Sequence, residues 1–376
     1  MNEPETKTAA PADAQRAEGG AMADAEARRQ IKADLARMNC RVHQPDDPVL
    51  FTREPSSEME TLHWRWADLV PMLERIGSQI AIGSGGLRRT LRLANPGIPY
   101  GTTPTFWASI QVILPGEVAE AHRHSANAFR FILKGSGCTT TVDGERYEMN
   151  EGDLVLTPAW TWHDHEHHGS QPMIWLDVLD INVMRSLQAT FFEPYAGDKQ
   201  PVRAIADESA RAFGSGIMRP PRIGAAKRGN PLLTYSRERA LAALGQAAGL
   251  ASDPFDDVIL EYQNPVDGGS AMPTLAMTLQ QIRPGFKGKA QRRTGSRVLV
   301  IVSGHGTSII DGRRFDWGPG DFIAVKPWAW VEHHGTSNDA AVVFQVNDSP
   351  TLDALGYYRA EALTTGDGHQ ESEAAS

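Results

Sequence analysis

Short hydrophobic runs broken by polar turns dominate the chain from Leu91 onward. The runs are FWASIQVILPGE, AFRFILKGSG, CTTTVDGERYEM, EGDLVLTPAW and MIWLDVLDI, and they are rich in β-branched and aromatic residues. Pro-Gly and Asp-Gly pairs lie between hydrophobic stretches. Strands at this spacing with such turns are typical of a β-sandwich or small barrel. The pattern therefore predicts an all-β fold for most of the chain.

The same pattern of hydrophobic runs and polar turns returns from position 281, as QIRPGFKGK, RVLVIVSGHG, TSIIDGRRFDW, PGDFIAVKPWAW and AVVFQVND. The offset from Pro115 to Pro284 equals the offset from Gly135 to Gly304, and the offset from Asp153 to Asp321 is shorter by a single position. So small a slip across a whole unit indicates an internal duplication. We therefore expect two tandem copies of one β domain.

The remaining segments differ from the two copies in composition. Mixed charges at helical spacing over Asp24–Cys40 predict a helix in the N-terminal extension. A Pro/Gly-rich stretch between the copies ends in a second predicted helix and marks a linker. The predicted organisation is an N-terminal tail and helix at 1–60, a first domain at 61–200, a linker with a helix at 201–250, a second domain at 251–362 and a C-terminal tail at 363–376.

Charge and cysteine usage narrow the class of protein. The net charge of −9 is spread along the chain without a basic block, so we expect no nucleic-acid partner. Cys40 and Cys138 have neither redox nor metal spacing, which favours a reducing cytoplasm. The first residues do not resemble a secretory signal, and no stretch approaches the roughly 20 apolar residues of a membrane span. The expectation is a cytoplasmic protein without a membrane partner.

Histidines concentrate in two segments of the first copy. His122 and His124 are two residues apart in a predicted strand, so they share one face. The segment WTWHDHEHH then supplies His163 and His165, again two apart. We predict that His122, His124 and His163 hold one metal ion and that His165 acts beside it. Three imidazoles would accept iron, but also manganese, cobalt, nickel or zinc.

Two charged residues are predicted to face the same interior. If one unbroken strand continues from His122, residues an even number of positions apart share a face, so Arg130 lies on the face of His122 and His124. A guanidinium is the natural fixed partner for a carboxylate, although an ion pair at the barrel rim is the alternative. Asp177 alternates with Trp175 in IWLDVLD, so it faces the interior and needs an N–H partner. His167 and His168 are expected in an exposed loop.

These residues resemble the cupin superfamily. Its first motif is matched by a glycine, a His-x-His pair and a second glycine, but Ala128 replaces the usual glutamate ligand. Its second motif is matched by a glycine, a proline and a histidine. Three facial ligands with open positions suit non-haem Fe(II) chemistry. The matching residues are Gly116, His122, His124 and Gly135 in the first motif, and Gly152, Pro158 and His163 in the second.

The runs PGEVAEAHRHSANAFRFILKG, GDLVLTPAWTWHDH and RRTLRLANPG are similar to the gentisate and salicylate 1,2-dioxygenases, which are bicupins. The resemblance implies an all-β bicupin with a helical N-terminal extension, one Fe(II) per chain and a homotetramer. It implies that an aromatic acid and O2 react, and that the ring opens between the carbons bearing the carboxyl and hydroxyl groups. It implies metal ligation by His122, His124 and His163, proton handling by His165, substrate binding by Arg88 and Arg130, and pocket roles for Trp107, Gln111 and Asp177.

Single residues bear on the substrate without fixing it. Phe129 resembles the salicylate-cleaving side of the family, whereas WTWHDH resembles the gentisate side. Ser84 stands where a salicylate-type enzyme carries an arginine, and less positive charge there would suit a substituent at ring position 5. The hypothesis is a 5-substituted salicylate such as a nitro or halo compound. Gentisate is the nearest rival, and a broad salicylate or 1-hydroxy-2-naphthoate enzyme comes third.

The second copy lacks the predicted metal ligands. Gln291, Arg293 and Val331 align with the three histidines, and His333 aligns with His165. Arginine cannot lose its proton to bind a metal, and valine has no donor. We predict that the second domain is metal-free and structural. Two other classes stay open, a non-catalytic cupin that binds an aromatic acid and a metal-dependent isomerase, and oxygen consumption separates the dioxygenase from both.

Overall fold

The computed structural model describes residues 11–42, 47, 49, 51–82, 88–203, 205–221, 229–250 and 252–372. The chain divides into two compact units, Met1–Glu54 and Pro55–Ser376. The first unit contains α1 (Pro11–Arg37), whose side chains from Asp24 onward are exposed or half-buried. The helix predicted in the N-terminal extension is therefore confirmed, and it begins earlier than the charge pattern indicated.

The second unit contains every strand that the structure describes. Up to residue 213 its elements are β1 (Leu62–Trp64), α2 (Trp66–Gln79), β2 (Thr90–Arg92), β3 (Trp107–Ile113), β4 (Val118–His124), β5 (Ala128–Lys134), β6 (Cys138–Val142), β7 (Glu145–Met149), β8 (Leu154–Thr157), β9 (His163–His167), β10 (Met173–Leu179), α3 (Ile181–Ser186), β11 (Phe192–Pro194) and α4 (Glu208–Phe213). We call β2 to β11 the first copy.

The linker and the second half repeat the order of elements of the first half, a short strand and a helix followed by the strands of one copy. Their elements are β12 (Thr234–Tyr235), α5 (Arg237–Ala247), β13 (Val258–Glu261), β14 (Ala276–Ile282), β15 (Gln291–Arg293), β16 (Arg297–Ser303), β17 (Gly306–Ile310), β18 (Arg313–Trp317), β19 (Phe322–Val325), β20 (Val331–His334), β21 (Ala341–Asn347), α6 (Ser349–Ala354) and β22 (Ala360–Ala362). We call β13 to β22 the second copy. The helix predicted at the end of the linker corresponds to α5.

Each copy is built from two antiparallel sheets. The first copy has a six-stranded sheet in the order β12-β8-β5-β10-β3-β2 and a five-stranded sheet in the order β11-β4-β9-β6-β7. The second copy repeats this with β1-β19-β16-β21-β14-β13 and β18-β17-β20-β15-β22. In each copy a small apolar core joins the two sheets, with Trp175 in the first and Trp317 in the second. The duplication predicted from the spacing is therefore a duplication of the fold.

The two copies exchange edge strands. Strand β1 precedes the first copy in the chain but pairs with β19 of the second, and β12 precedes the second copy but pairs with β8 of the first. Equivalent aspartates anchor the exchange, because Asp321 Oδ1 accepts from Trp66 N at 2.8 Å and Asp153 Oδ1 accepts from Arg237 N at 2.9 Å. The domain boundaries at 61 and 251 stay a prediction, and the strands leading into each copy belong by hydrogen bonding to the other.

The main hydrophobic core lies between the copies. It is formed by the outer faces of the two six-stranded sheets, with α2 and α5 packed at its sides. Phe131 of β5 stacks on Phe344 of β21 with ring centroids 4.0 Å apart and an interplanar angle of 15°. Alternation along these strands buries one face in the shared core and turns the other toward the interior of its own copy. The interior faces carry the polar residues discussed below.

Asp-Gly pairs form the tight turns that the sequence indicated. Asp143 and Gly144 have φ of 47° and 87° between β6 and β7, and Asp311 and Gly312 have φ of 49° and 76° between β17 and β18. Two successive positive φ values define the hairpin turn for which Asp-Gly is favoured. The predicted all-β fold of two tandem domains with a helical extension is thus confirmed. Among the described residues, no helix has both the length and the apolar character that crossing a membrane requires.

Candidate metal centre

Three histidines meet in the interior of the first copy. His122 and His124 end strand β4, and His163 begins β9, where it pairs directly with His122. One ring nitrogen from each lies within 4.8 Å of the others. The ring centroids are 4.3 Å apart for His122 and His163, and 4.9 Å apart for His124 and His163. The predicted ligand set therefore forms one cluster.

Backbone carbonyls orient all three imidazoles. Nδ1 lies 3.0 Å from Glu120 O in His122, 2.9 Å from Ala126 O in His124 and 3.0 Å from Thr161 O in His163. A proton on Nδ1 that is donated to a carbonyl leaves the Nε2 lone pair free for a metal. Nε2 of His163 is buried and has no hydrogen-bond partner. The site thus contains an unpartnered buried donor atom of the kind that a metal ion would satisfy.

Burial keeps these imidazoles neutral. It lowers the pKa of His122 to about 3, with the nearby Arg88 charge adding to the effect. Burial likewise lowers the pKa of His124, and it lowers that of His163 well below its usual value, with the neighbouring His122 as the next cause. Neutral imidazole is the form that binds metals. The three residues therefore fit a divalent transition metal, and Ala128, fully buried in β5, contributes no carboxylate.

Arg130 lies against this cluster and is held by two neighbours. Its Nη1 donates to Thr157 Oγ1 at 2.6 Å, and its Nε lies 3.5 Å from Asp177 Oδ1. The residue is 3% exposed, and Nε has no hydrogen-bond partner. Burial lowers the pKa of Arg130. The result is a fixed guanidinium with unused donor capacity next to the three imidazoles.

Arg88 contacts the cluster at His122. Its Nη2 donates to Glu120 O at 2.8 Å and lies 2.9 Å from His122 Nδ1. In the tautomer of His122 that binds a metal, Nδ1 carries the proton, so His122 Nδ1 and Arg88 Nη2 both donate to the Glu120 carbonyl. Nη1 is buried without a hydrogen-bond partner. Burial, followed by the Arg130 charge, lowers the pKa of Arg88 to about 10. Two guanidiniums therefore flank the histidines, each with an unsatisfied donor.

His165 and Gln111 complete the polar interior. His165 is 0% exposed, and neither ring nitrogen has a hydrogen-bond partner; its ring centroid is 6.2 Å from that of His163. Gln111 is 1% exposed, and its Nε2 is buried and unpartnered. Such groups need a partner that the protein does not provide. They face the same interior as the histidine cluster, because Gln111 pairs with Trp175, whose ring lies 5.4 Å from that of His165.

Trp107 is half-buried at the start of β3, two residues from Ser109 and four from Gln111 on one strand face. Its Nε1 donates to Asn182 Oδ1 at 2.9 Å, and the Arg92 guanidinium lies 4.5 Å from the ring centroid. The indole N–H is therefore already satisfied. Any contact with a substrate would use the ring, not the N–H.

Two details of the sequence argument are corrected by the structure. Arg130 does not continue the strand of the ligand pair, because β4 ends at His124 and β5 begins at Ala128. It reaches the interior through the pairing of β5 with β10, which sets Arg130 opposite Asp177. His167 is not in an exposed loop; it is fully buried in β9 and bonded to the carbonyls of Gly137 and Gln171, whereas His168 is exposed. Ser84 lies outside the described residues.

Sequence reasoning missed two residues at this site. Thr157 holds Arg130, and Phe192 of β11 stacks on His122 with centroids 5.3 Å apart and an interplanar angle of 28°. Thr157 ends a strand and is followed by Pro158, so it looks like an ordinary turn residue. Phe192 lies far beyond His124 in the chain, and only the pairing of β11 with β4 brings the two into register. Strand order and register were needed to find either residue.

The second copy has no histidine cluster at the equivalent positions. Gln291 and Arg293 lie on β15, and Val331 begins β20. A separate group, Glu332, His334 and His369, offers ligand atoms within 4.8 Å of one another. Both Glu332 oxygens already have partners, since Oε1 lies 3.0 Å from His334 Nε2 and Oε2 accepts from Gln370 N at 3.0 Å. That the second domain is metal-free stays a prediction.

Known proteins share this fold and are similar in sequence over most of this chain. A model of the cupin domain matches residues 109–179 and 278–347. The chain is 36% identical over 346 residues to the 5-aminosalicylate 1,2-dioxygenase of Comamonas sp, which covers 90% of this chain and 91% of the relative. It is 35% identical over 308 residues to a gentisate 1,2-dioxygenase of Streptomyces sp, covering 79% of this chain and 84% of the relative.

A solved structure agrees with both matches. The salicylate 1,2-dioxygenase of Pseudaminobacter salicylatoxidans aligns with a TM-score of 0.82 at 29% identity, covering 89% of this chain and 96% of that one. Fold and site together define a protein with two cupin domains and a histidine-rich centre in the first. The chain belongs to the family of gentisate- and salicylate-type 1,2-dioxygenases, and it is a ring-cleaving oxidoreductase.

Proposed function

We propose that the first domain uses one Fe(II) to open the ring of a 2-hydroxybenzoate between the carbons that bear the carboxyl and hydroxyl groups. Both atoms of O2 enter the product. The carboxyl-bearing carbon becomes the ketone of a 2-oxo acid, and the hydroxyl-bearing carbon becomes a new carboxylic acid. The observation that carries the proposal is the cluster of His122, His124 and His163, which contains no carboxylate and is flanked by Arg88 and Arg130.

The histidines would hold the iron through Nε2, since Nδ1 of each is engaged with a carbonyl. Bound there, iron would supply a Lewis acid for the substrate's carboxylate and hydroxyl oxygens and a source of electrons for O2. Three neutral ligands leave the full positive charge of the ion in place. Such a centre favours an anionic chelating substrate, which is the chemistry of a 2-hydroxybenzoate.

Arg130 and Arg88 would bind and orient the substrate carboxylate. Nη1 of Arg88 is buried without a hydrogen-bond partner, and Arg130 uses Nη1 on Thr157 and directs Nε at Asp177, which leaves its Nη2 for the substrate. A guanidinium fixed by other contacts loses little freedom on binding a carboxylate. Thr157 and Asp177 hold Arg130, while the Glu120 carbonyl holds Arg88. Gln111 Nε2 offers a further donor, and the Trp107 ring offers an apolar wall.

His165 would handle a proton during the reaction or orient the bound oxygen. Burial lowers its pKa well below the usual value, with the Arg130 charge as the next cause, so the resting ring is neutral. A neutral imidazole with two unpartnered nitrogens can accept a proton at one nitrogen and donate from the other. The substrate hydroxyl would lose a proton on binding a metal held by the histidines, and the His165 ring, whose centroid lies 6.2 Å from that of His163, would accept it.

For the particular substrate we favour a 5-substituted salicylate, with a nitro or halo substituent as the first examples. Support comes from the similarity to an enzyme named for 5-aminosalicylate, whose ring carries a substituent at that position. Gentisate, which is 5-hydroxysalicylate, is the second candidate, because relatives named for it match most of this chain. A broad salicylate or 1-hydroxy-2-naphthoate enzyme is the third.

The test is oxygen uptake by the Fe(II)-loaded protein with gentisate, salicylate, 5-aminosalicylate, 5-nitrosalicylate, 5-chlorosalicylate and 1-hydroxy-2-naphthoate, together with loss of the aromatic absorbance. Stoichiometric uptake supports the reaction, and the ranking of kcat/KM names the substrate. If iron-loaded protein binds these acids without consuming oxygen, the alternative of a non-catalytic aromatic-acid-binding cupin is correct instead.

We further propose a cytoplasmic homotetramer. Support for the tetramer is the family resemblance, and support for the location is that Cys40 and Cys138 are both unpaired. Light scattering on the eluted protein measures the first, with a mass near four times 41.1 kDa expected.

A further inference from the structure

In the second copy, arginines stand at the position of one predicted metal ligand and at the position of the cupin glutamate. By the spacing of the repeat, Gln291 and Arg293 take the positions of His122 and His124. The same offset sets Arg297 at the position of Ala128, where the cupin motif has its glutamate ligand. Two of the equivalent positions therefore carry a guanidinium in place of a group that would face a cation. The electrostatic character of the interior is that of a site for an anion.

Arg297 is a buried charge that the described part of the chain leaves without an ion pair. It is 3% exposed, and its guanidinium makes no hydrogen bond or ion pair with the residues that the structure describes. Burial, followed by the charge of Arg293, lowers the pKa of Arg297 to about 9. Burying an unpaired charge is strongly unfavourable, so such a group needs a counter-charge.

Arg293 is only partly compensated. Its side chain is 17% exposed, and Nε and Nη2 are buried without a hydrogen-bond partner. The nearest carboxylate is Asp256, whose Oδ2 lies 3.8 Å from Nη2 and already accepts from Gln291 Nε2 at 2.8 Å. The charge of Asp256 also acts on Arg297. One carboxylate therefore faces two guanidiniums, and a monoanion would balance the cluster.

Neutral groups with unused hydrogen-bonding capacity face the same interior. Strand pairing sets Gln345 opposite Thr278 and Asn347 opposite Arg297, so Gln280, Gln345 and Arg297 share one sheet face. The Oε1 atoms of Gln280 and Gln345 are buried and unpartnered, while their Nε2 atoms donate to Asp256 O and Thr278 Oγ1. These glutamines are 0% and 1% exposed. They present acceptors for a ligand hydroxyl.

His333 adds a donor. Trp317 Nε1 donates to Ser308 Oγ at 2.9 Å, and that hydroxyl lies 2.8 Å from His333 Nδ1. When the Ser308 hydroxyl donates a hydrogen bond to Nδ1, the neutral His333 ring carries its own proton on Nε2. That nitrogen is buried and has no hydrogen-bond partner. The second copy thus offers two guanidiniums, one of them partly compensated by Asp256, together with two unpartnered acceptors and one unpartnered N–H donor. Their positions are equivalent to positions around the metal centre of the first copy.

We infer that the second domain binds a small hydroxylated organic carboxylate, with its carboxylate held by Arg293 and Arg297 and its hydroxyl donating to Gln280 or Gln345. The ligand class follows from the groups present, because guanidiniums recognise carboxylates and the amide oxygens require a donor. Val331 and Leu299, in place of His163 and Arg130, give the site apolar walls that suit a carbon skeleton. The site is separate from the proposed reaction centre and needs no metal.

The probe is 4-hydroxybenzoate, whose hydroxyl is not adjacent to its carboxylate and which cannot chelate one ion through both groups. Calorimetric titration of the iron-loaded protein is compared with the variants R293M, R297M and H124A. Methionine fills the buried volume without a charge, and replacing a buried charge by an apolar residue is often tolerated. We expect binding that H124A retains and that R293M and R297M each weaken at least tenfold, with a rise in Tm on ligand addition that is lost in R297M.

Benzoate and inorganic phosphate define the chemistry of the ligand. Weaker binding of benzoate than of 4-hydroxybenzoate, together with Q280M or Q345M abolishing that difference, supports the hydroxyl contact. Tighter binding of phosphate overturns the carboxylate assignment. Binding lost in H124A but kept in R297M assigns the ligand to the first domain and overturns the inference, as does the absence of binding of every probe at millimolar concentration to well-folded protein. Oxygen uptake tests the first domain independently.

Discussion

Asp180 and Asp348 occupy equivalent positions in the two cupin domains, and each accepts a hydrogen bond from a threonine of the opposite domain. Asp180 Oδ2 accepts from Thr274 Oγ1 at 2.6 Å, and Asp348 Oδ2 accepts from Thr105 Oγ1 at 2.5 Å. The other oxygen of each aspartate accepts a backbone N–H of its own domain. The exchange of edge strands and of these hydrogen bonds makes the second domain a structural complement of the first.

Replacing Thr105 or Thr274 with valine should destabilise the pair of domains without altering the metal centre. Each change removes a hydrogen bond to a buried aspartate, and we expect a loss of about 1–3 kcal/mol in the free energy of unfolding. The two effects should add, because the two aspartates share no partner. Urea denaturation measures the free energy of unfolding of each variant and of the double variant. If that free energy changes by no more than about 0.5 kcal/mol, as for surface substitutions, these contacts do not support the interface.

The purified, iron-reconstituted protein should contain one iron per chain. His124→Ala should lose the metal because only two of the three imidazole ligands remain. His333→Ala, a change in the second domain, should retain it. Elemental analysis checks both. A second ion per chain would contradict a metal-free second domain, and its loss in His334→Ala would assign it to the group of Glu332, His334 and His369.

Arg130→Lys should weaken substrate binding and leave iron in place. A lysine ammonium cannot reproduce the planar fork that reaches Thr157 and faces the interior. Losing one partner of a buried charged contact costs about 2–5 kcal/mol, so kcat/KM should fall at least about 30-fold, mainly through KM. Steady-state kinetics on the best substrate, with iron content measured on the same sample, decides; unchanged KM would remove Arg130 from the carboxylate contact.

His165→Ala should reduce kcat with little change in KM or iron content. Its ring nitrogens have no partner in the protein, and proton transfer by a positioned side chain contributes about 10²–10⁴-fold. His165→Gln keeps a polar group without the base and serves as the matched control. Equal kcat in His165→Ala and the wild type would mean that the ring only fills space beside Trp175.

How far the sequence predicts this protein depends on whether a feature is local or set by strand pairing. Turn chemistry and the spacing of the repeat are local, so the two copies and the Asp143–Gly144 turn were predictable. His122 and His124 share a face by parity alone. The back-to-back packing of the six-stranded sheets, the exchange of β1 and β12 and the contact of Phe192 with His122 depend on long-range register. No periodicity within a segment encodes them.

Thr157 is the residue whose role the sequence concealed, and it gives the sharpest test of how the pocket is positioned. Its hydroxyl accepts from Arg130 Nη1 at 2.6 Å, and the residue is fully buried. Thr157→Val keeps the shape and removes the acceptor, so Arg130 should lose its fixed orientation; a hydrogen bond worth about 0.5–1.5 kcal/mol predicts a rise in KM of about 2–10-fold with kcat largely kept. Thr157→Ser restores the acceptor at the cost of a methyl group and should recover the wild-type KM. If the serine and valine variants behave alike, the effect belongs to packing at the end of β8, and Asp177 alone orients Arg130.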